Sequence, residues 1–370
     1  MLLATPGRLG DLYCAGICWS QRGRVLSITT LGSDSYCSGR IVRIYENGPS
    51  SVLKLEEAVP PVLSEDEVLI KVSTIGLNRA EVLFRQGLYL ERNTFPSRIG
   101  YEACGTLVAC GGAVKGSFPS LSPGDRVSTI PGFSQTKHGV YGEWAVVPAR
   151  YVEKCPQVLS DEAGASIWMP YLTAYGAIKA LGAVSAGQYV LVTAASSSVG
   201  YAALEIVKRE GAFSIATTRT AAKKQALLDA GADYVIVTEE ENLVAAVQKI
   251  TNGKGADIIF DAVAGPFLLA LAKSCAYEGQ IFIYGALSLA TTNFPLQLSL
   301  KRGLKISGYT MFQITHDDKR FSLGKEYVLT GIAEGMFKPR IDSVFDFNDI
   351  AAAQDYMESN KQNGKIVVKI

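Results

Sequence analysis

Chemistry first shows in the stretch VTAASSSVG, residues 192–200. It follows the apolar run QYVLVTAA and leads into the helical pattern VGYAALEIVKREG. A strand–turn–helix of this kind aims the backbone N–H groups of a helix N-terminus at a phosphate. Ala194, Ser197 and Gly200 stand at the spacing where such turns carry glycines, with Ser196, Ser198 and Val199 completing the loop. A serine keeps its backbone N–H, and its hydroxyl adds a phosphate contact. By itself the motif reads equally well as a polar turn without a ligand. The end of the next strand, IATTRTAAKKQ, decides more. Folds that take NAD place an acid there to hold the ribose diol. No acid is present; Arg219 and Lys223 are. Cations are disfavoured at a helix start, whereas a 2′-phosphate there is held by charge-assisted hydrogen bonds. The expected cofactor is NADPH.

The elements that must position this turn follow from hydrophobic periodicity. From about residue 40 to 155, short alternating or apolar runs such as GRIVRIYE, DEVLIKVSTI and CGTLVAC are separated by turn signals such as PSLSPGD. That is an all-β texture. Ser160 is an N-cap candidate with Asp161 and Glu162 in its first turn. Strands and helices then alternate, with FLLALAKSCAYEG read as one of the helices, which means βαβ units around a buried parallel sheet. The fold class is therefore α/β: a β-rich domain followed by a doubly wound parallel-sheet domain. The last strand, KIVVKI, is expected to return to the first domain.

Composition narrows the class. Net charge is +1 in 370 residues, which gives no basis for a nucleic-acid or acidic-membrane partner. No apolar run reaches the roughly 18 residues of a membrane span. Cysteines at 14, 18, 37, 104, 110, 155 and 275 are odd in number and scattered, unlike a disulfide framework. A reducing, cytoplasmic location is expected. Residues 1–39 have no long apolar run of the signal-peptide kind and read as a poorly ordered extension.

The stretches GLNRAEVLFRQGLY, IGYEACGTLVACGG, LSPGDRV, GVYGEWAVVP, YLTAYGAI, YVLVTAASSSVG, GADYVIV, DIIFDAVAG and NGKIVV occur in the order of a known family. From about residue 40 to the end, the chain resembles the medium-chain dehydrogenase/reductase superfamily, most of all its zinc-free quinone oxidoreductase and enoyl reductase branch. The resemblance implies a GroES-like catalytic domain over 40–165 and 311–370, a Rossmann NADP-binding domain over 166–310, and an active site in the cleft between them. It also implies a homodimer through the strand near LKISGYT. Zinc members hold their metal with Cys, His and Cys; those positions fall here near Leu77–Asn78, on Tyr101 and near Met169. None is a zinc ligand, so no metal is expected.

Without a Lewis acid, reduction of an activated double bond fits better than alcohol oxidation. Hydride adds to a quinone, enone or enoyl thioester, and the resulting anion must be stabilised and protonated. A phenol, protonated at neutral pH, suits that role. The resemblance points to Tyr89 and to Tyr101 as donors and to Asn78 as a group holding substrate or nicotinamide ribose. Glu81 stands where relatives carry Asp. Thr173 would lie near the nicotinamide. Gly265 and Gly285 follow strands at their carboxyl ends and would run along the cofactor, and Asn363 with Lys365 would close the cleft. Trp168 and Tyr171 read equally as pocket lining or core; His138 and His316 read as surface or loop residues. Two other readings stay open: a non-catalytic NADPH-binding structural or regulatory protein, and a zinc-type alcohol dehydrogenase.

Overall fold

The computed structural model describes residues 38–370. The extension expected over 1–39 lies outside the described residues except at its end, where Gly39 already begins a strand. The first part of the chain contributes β1 (Gly39–Arg43), β2 (Lys54–Ala58), β3 (Glu67–Gly76), β4 (Glu102–Cys110), β5 (Arg126–Thr129), β6 (Trp144–Pro148) and β7 (Val152–Lys154). The alternating region contributes β8 (Tyr189–Val192), β9 (Phe213–Thr218), β10 (Tyr234–Val237), β11 (Ala256–Asp261), β12 (Cys275–Ile283) and β13 (Lys305–Gly308). Two strands close the chain, β14 (Ile341–Asp346) and β15 (Lys365–Lys369).

β8 to β13 form one parallel sheet in the order β10-β9-β8-β11-β12-β13. This is the doubly wound order, with its topological switch between β8 and β11, where such sheets bind ligands. The strands are buried on both sides. Val190 and Val192 join one core cluster while Leu191 joins the other, which explains runs of apolar residues without alternation. The other sheet runs β14-β15-β3-β4-β5-β7, with β6 also paired to β3. The last strand thus returns to the first sheet, pairing antiparallel with β3.

Two readings change and one left open is settled. FLLALAKSCAYEG is helical only over Phe267–Ser274; Cys275 opens β12, which carries a register shift against β11 and Glu278 at φ +56°. Trp168 and Tyr171 are core: the Trp168 indole donates to Ser128 Oγ at 2.8 Å, and the Tyr171 hydroxyl donates to Glu205 at 2.6 Å. His138 is buried, its Nδ1 3.1 Å from the Val146 carbonyl, whereas His316 is exposed as expected.

Candidate active site

The turn after β8 has the features that phosphate binding needs. Ser197 caps the helix Ser198–Arg209, its side chain accepting from Gly200 N at 3.0 Å. Ser196, Ser197, Ser198 and Val199 are half-buried. In the first turn the Ser198 and Val199 amides have no intrahelical acceptor. At Gly200 a Cβ would lie 2.3 Å from the Ala195 carbonyl oxygen, so only glycine allows the helix this close to the turn. Ala194 adopts φ +46° where a glycine would be easier, a strain of roughly 1 kcal/mol. Neighbouring strand ends hold the turn. The buried Asp261 carboxylate accepts from Thr193 Oγ1 at 2.8 Å and from the Val263 and Ala264 amides at 2.9 Å each. Neither Thr193 nor Asp261 was singled out from the sequence; the acid at the end of ADIIFD was the signal for both.

The two cations read for a 2′-phosphate occupy different surroundings. Arg219 is exposed just past β9 and forms no ion pair among the described residues. Its carbonyl accepts from Glu239 N at 3.1 Å, so an acidic residue stands beside it. Lys223 is half-buried and donates to the Gln362 carbonyl at 2.6 Å and the Asn360 carbonyl at 3.1 Å. It therefore ties the parallel-sheet half to the segment before β15, and burial pulls its pKa down. Asn363 lies on the same segment. Its Oδ1 accepts from the Tyr201 hydroxyl and its N–H donates to Asp342 at 2.8 Å. Gly364, at φ +131°, forms a bridge to Ser197, which sets this segment across the phosphate turn. Gly265, at φ +58°, donates its N–H to Thr292 Oγ1 at 2.8 Å, and a Cβ on Gly285 would come within 3.0 Å of the Ala262 carbonyl oxygen. These two glycines line the carboxyl ends of β11 and β12.

Next to the Gly364 segment lies a buried polar network. Lys365 Nζ donates to Asn78 Oδ1 at 2.6 Å and pairs with Glu102. Glu102 also accepts from Met169 N at 2.9 Å. Asn78 Nδ2 donates to Glu81 at 3.1 Å and to the Gly76 carbonyl at 3.3 Å, and Asn78 N donates to Glu81 as well. The Asn78 amide is thus hydrogen-bonded within the protein through both its oxygen and its nitrogen. Burial pushes the Glu81 carboxyl up to about 8, against the neighbouring Lys365 charge. The three positions compared with zinc ligands gather around this network and offer an amide, a phenol and a thioether.

Tyr101 packs above it with 1% exposure, its ring 6.3 Å from Tyr89, 5.7 Å from Phe133 and 6.1 Å from Phe312. Tyr89 is half-buried, between the exposed Leu88 and Leu90. Burial raises both phenol pKa values, so both keep their protons at neutral pH. Tyr89 is the more open of the pair. Thr173 is buried and its hydroxyl donates back to the Met169 carbonyl.

The chain matches the model of the alcohol dehydrogenase GroES-like domain over residues 64–157 and that of the zinc-binding dehydrogenases over 198–322. It is 30% identical to human quinone oxidoreductase over 331 residues, which is 89% of this chain and 97% of that protein. Among solved structures it is similar to a mycobacterial protein complexed with NADPH, with TM-score 0.82, 28% identity, and 90% and 100% of the two chains covered. An NAD-dependent alcohol dehydrogenase gives TM-score 0.82 at 28% identity, with 90% and 99% covered. The chain belongs to the medium-chain dehydrogenase/reductase superfamily, in its quinone oxidoreductase branch.

Proposed function

We propose that this protein reduces quinones, or α,β-unsaturated carbonyl or enoyl compounds, with NADPH and without zinc. One observation carries the reading: a capped phosphate-type turn, followed by a strand end with Arg219 and no acid, is bridged through Gly364 to the segment whose Lys365 anchors the polar network beside a protonated phenol pair. The protein also fits the cofactor in detail. The free amides of Ser198 and Val199 suit the pyrophosphate, and Arg219 suits a 2′-phosphate. Bound NADPH would supply the hydride. The protein's own part is to seat the dinucleotide, exclude water through the aromatic cluster, and deliver a proton. Tyr89 is assigned as the proton donor because it is half-buried while Tyr101 is covered. Tyr101 then fixes its ring, and the Asn78–Lys365–Glu102 network fixes the floor beneath. The zinc-free part rests on donor chemistry, since an amide, a phenol and a thioether make a poor zinc set.

We divide the chain at residues 166 and 310, and place it in the cytoplasm as a homodimer. No described helix is long and apolar enough to cross a membrane. Titrating NADPH against tryptophan fluorescence tests the cofactor, and a panel of quinones, alkenals and enoyl thioesters tests the substrate class. Failure to bind NADPH at tens of micromolar would sink the proposal; binding without turnover would favour a non-catalytic role. The similarity to an alcohol dehydrogenase favours a second reading: one zinc per purified chain together with alcohol oxidation would establish it.

A further inference from the structure

Strand β12 ends at Ile283, within the stretch IFIYG. Period-two alternation puts Phe282 and Tyr284 on one face of the sheet, and both belong to the core cluster that holds Phe260. The Tyr284 ring stacks on Phe260 with centroids 3.9 Å apart and planes at 15°. Its backbone N–H donates to the Asp261 carbonyl at 2.9 Å. Ring and backbone are thus fixed by the same strand end that holds the phosphate turn. The hydroxyl is different: it is buried, and among the described residues it has no hydrogen-bond partner. The Ser197 side chain lies beside it, with Oγ accepting from Gly200 N, but it does not meet the geometry of a formed hydrogen bond to the phenol. A buried hydroxyl left unpaired is costly, and native proteins rarely keep one without a use. Phenylalanine would keep the stacking on Phe260 without that cost.

We infer that Tyr284 is a cofactor-binding residue whose phenol donates a hydrogen bond to the pyrophosphate region of a dinucleotide seated at the 192–200 turn. The inference rests on the NADPH reading above. It assigns the unpaired donor to a ligand acceptor next to Ser197, at the switch point between β8 and β11. The donation is independent of the 2′-phosphate, so it serves NADPH and NADH alike.

Tyr284→Phe tests this through binding and melting rather than turnover. In the nucleotide-free protein its melting temperature should equal or exceed that of the wild type, because no internal hydrogen bond is lost. Its affinity for NADPH and for NADH, read by nucleotide fluorescence, should fall by the same factor, roughly tenfold for a lost bond to a charged acceptor. Unchanged affinity for both nucleotides would overturn the inference while leaving the NADPH reading intact. A fall of several degrees in the nucleotide-free melting temperature would also overturn it, by showing that the hydroxyl is paired inside the protein. A wild-type protein that binds neither nucleotide would overturn the NADPH reading, and this inference with it.

Discussion

Lys365 donates to Asn78 Oδ1 at 2.6 Å, joining buried residues 287 apart in sequence. The same ammonium pairs with Glu102, and both side chains are 1% exposed. Lys365→Met would keep much of the volume but leave the Glu102 carboxylate buried and unpaired. Breaking a buried pair from one side costs about 3–5 kcal/mol. The urea midpoint should fall accordingly, and a change below about 1 kcal/mol would show that the pair contributes little.

Glu81 supplies a pH test. Its folded pKa, about 8, lies above the ordinary carboxyl value because of burial. A raised carboxyl pKa contributes stability that is fully present below about 4.5 and lost as pH rises through about 8. Stability of the wild type should therefore decline across that window relative to Glu81→Gln, by up to roughly 1.4 kcal/mol per pH unit. Parallel pH–stability curves for the two proteins would mean that Glu81 is ionised at neutral pH.

How far the sequence could be read depends on the distance between partners. The β8 turn was legible because strand, cap and helix are contiguous: Ser197, Gly200 and Ser198 make their contacts within four residues. The parallel sheet was legible because apolar strands alternate with helices. Lys223 was read for a phosphate, yet its carbonyl partners lie on the segment before β15, at residues 360 and 362. Asn78 was read for a ligand, and the lysine that donates to its oxygen comes from the last strand. His138 was read as a surface residue; only the fold shows β6 covering it. In each case the deciding partner is far away in sequence, where neither periodicity nor motif spacing reaches.

The phenol pair makes an asymmetric expectation. If the more open Tyr89 delivers the proton, Tyr89→Phe should lower kcat by about 10²-fold or more with little change in NADPH binding. Tyr101→Phe should act mainly through packing and lower kcat much less. The pH profile separates the roles: only loss of the donor removes dependence on a general acid. Equal effects of both substitutions would show that neither phenol alone is the donor.

Arg219 and Lys223 now call for different outcomes. Arg219 has no competing ion pair among the described residues, so Arg219→Ala should weaken NADPH by roughly tenfold or more and leave NADH nearly unchanged. Lys223→Ala should loosen the contact with the Asn360 and Gln362 carbonyls, raising proteolytic sensitivity of the 360–364 segment as well as weakening NADPH. If Arg219→Ala weakened both nucleotides equally, the 2′-phosphate assignment would fail.

Assembly can be tested at the edge of the parallel sheet. Among the described residues β13 pairs only with β12, so its outer edge presents unpaired backbone groups there. On the segment that leads into it, Leu289, Phe294, Leu296 and Leu300 are exposed, Leu300 by 77%. Open edges and apolar patches of this kind are normally covered, and a second copy pairing edge to edge would bury both. Sedimentation should find the wild type as a dimer. Leu300→Glu should shift it to monomer while NADPH affinity holds, because the phosphate turn lies at the centre of the sheet. A monomeric wild type would refute the dimer, and the exposed leucines would then need a different partner.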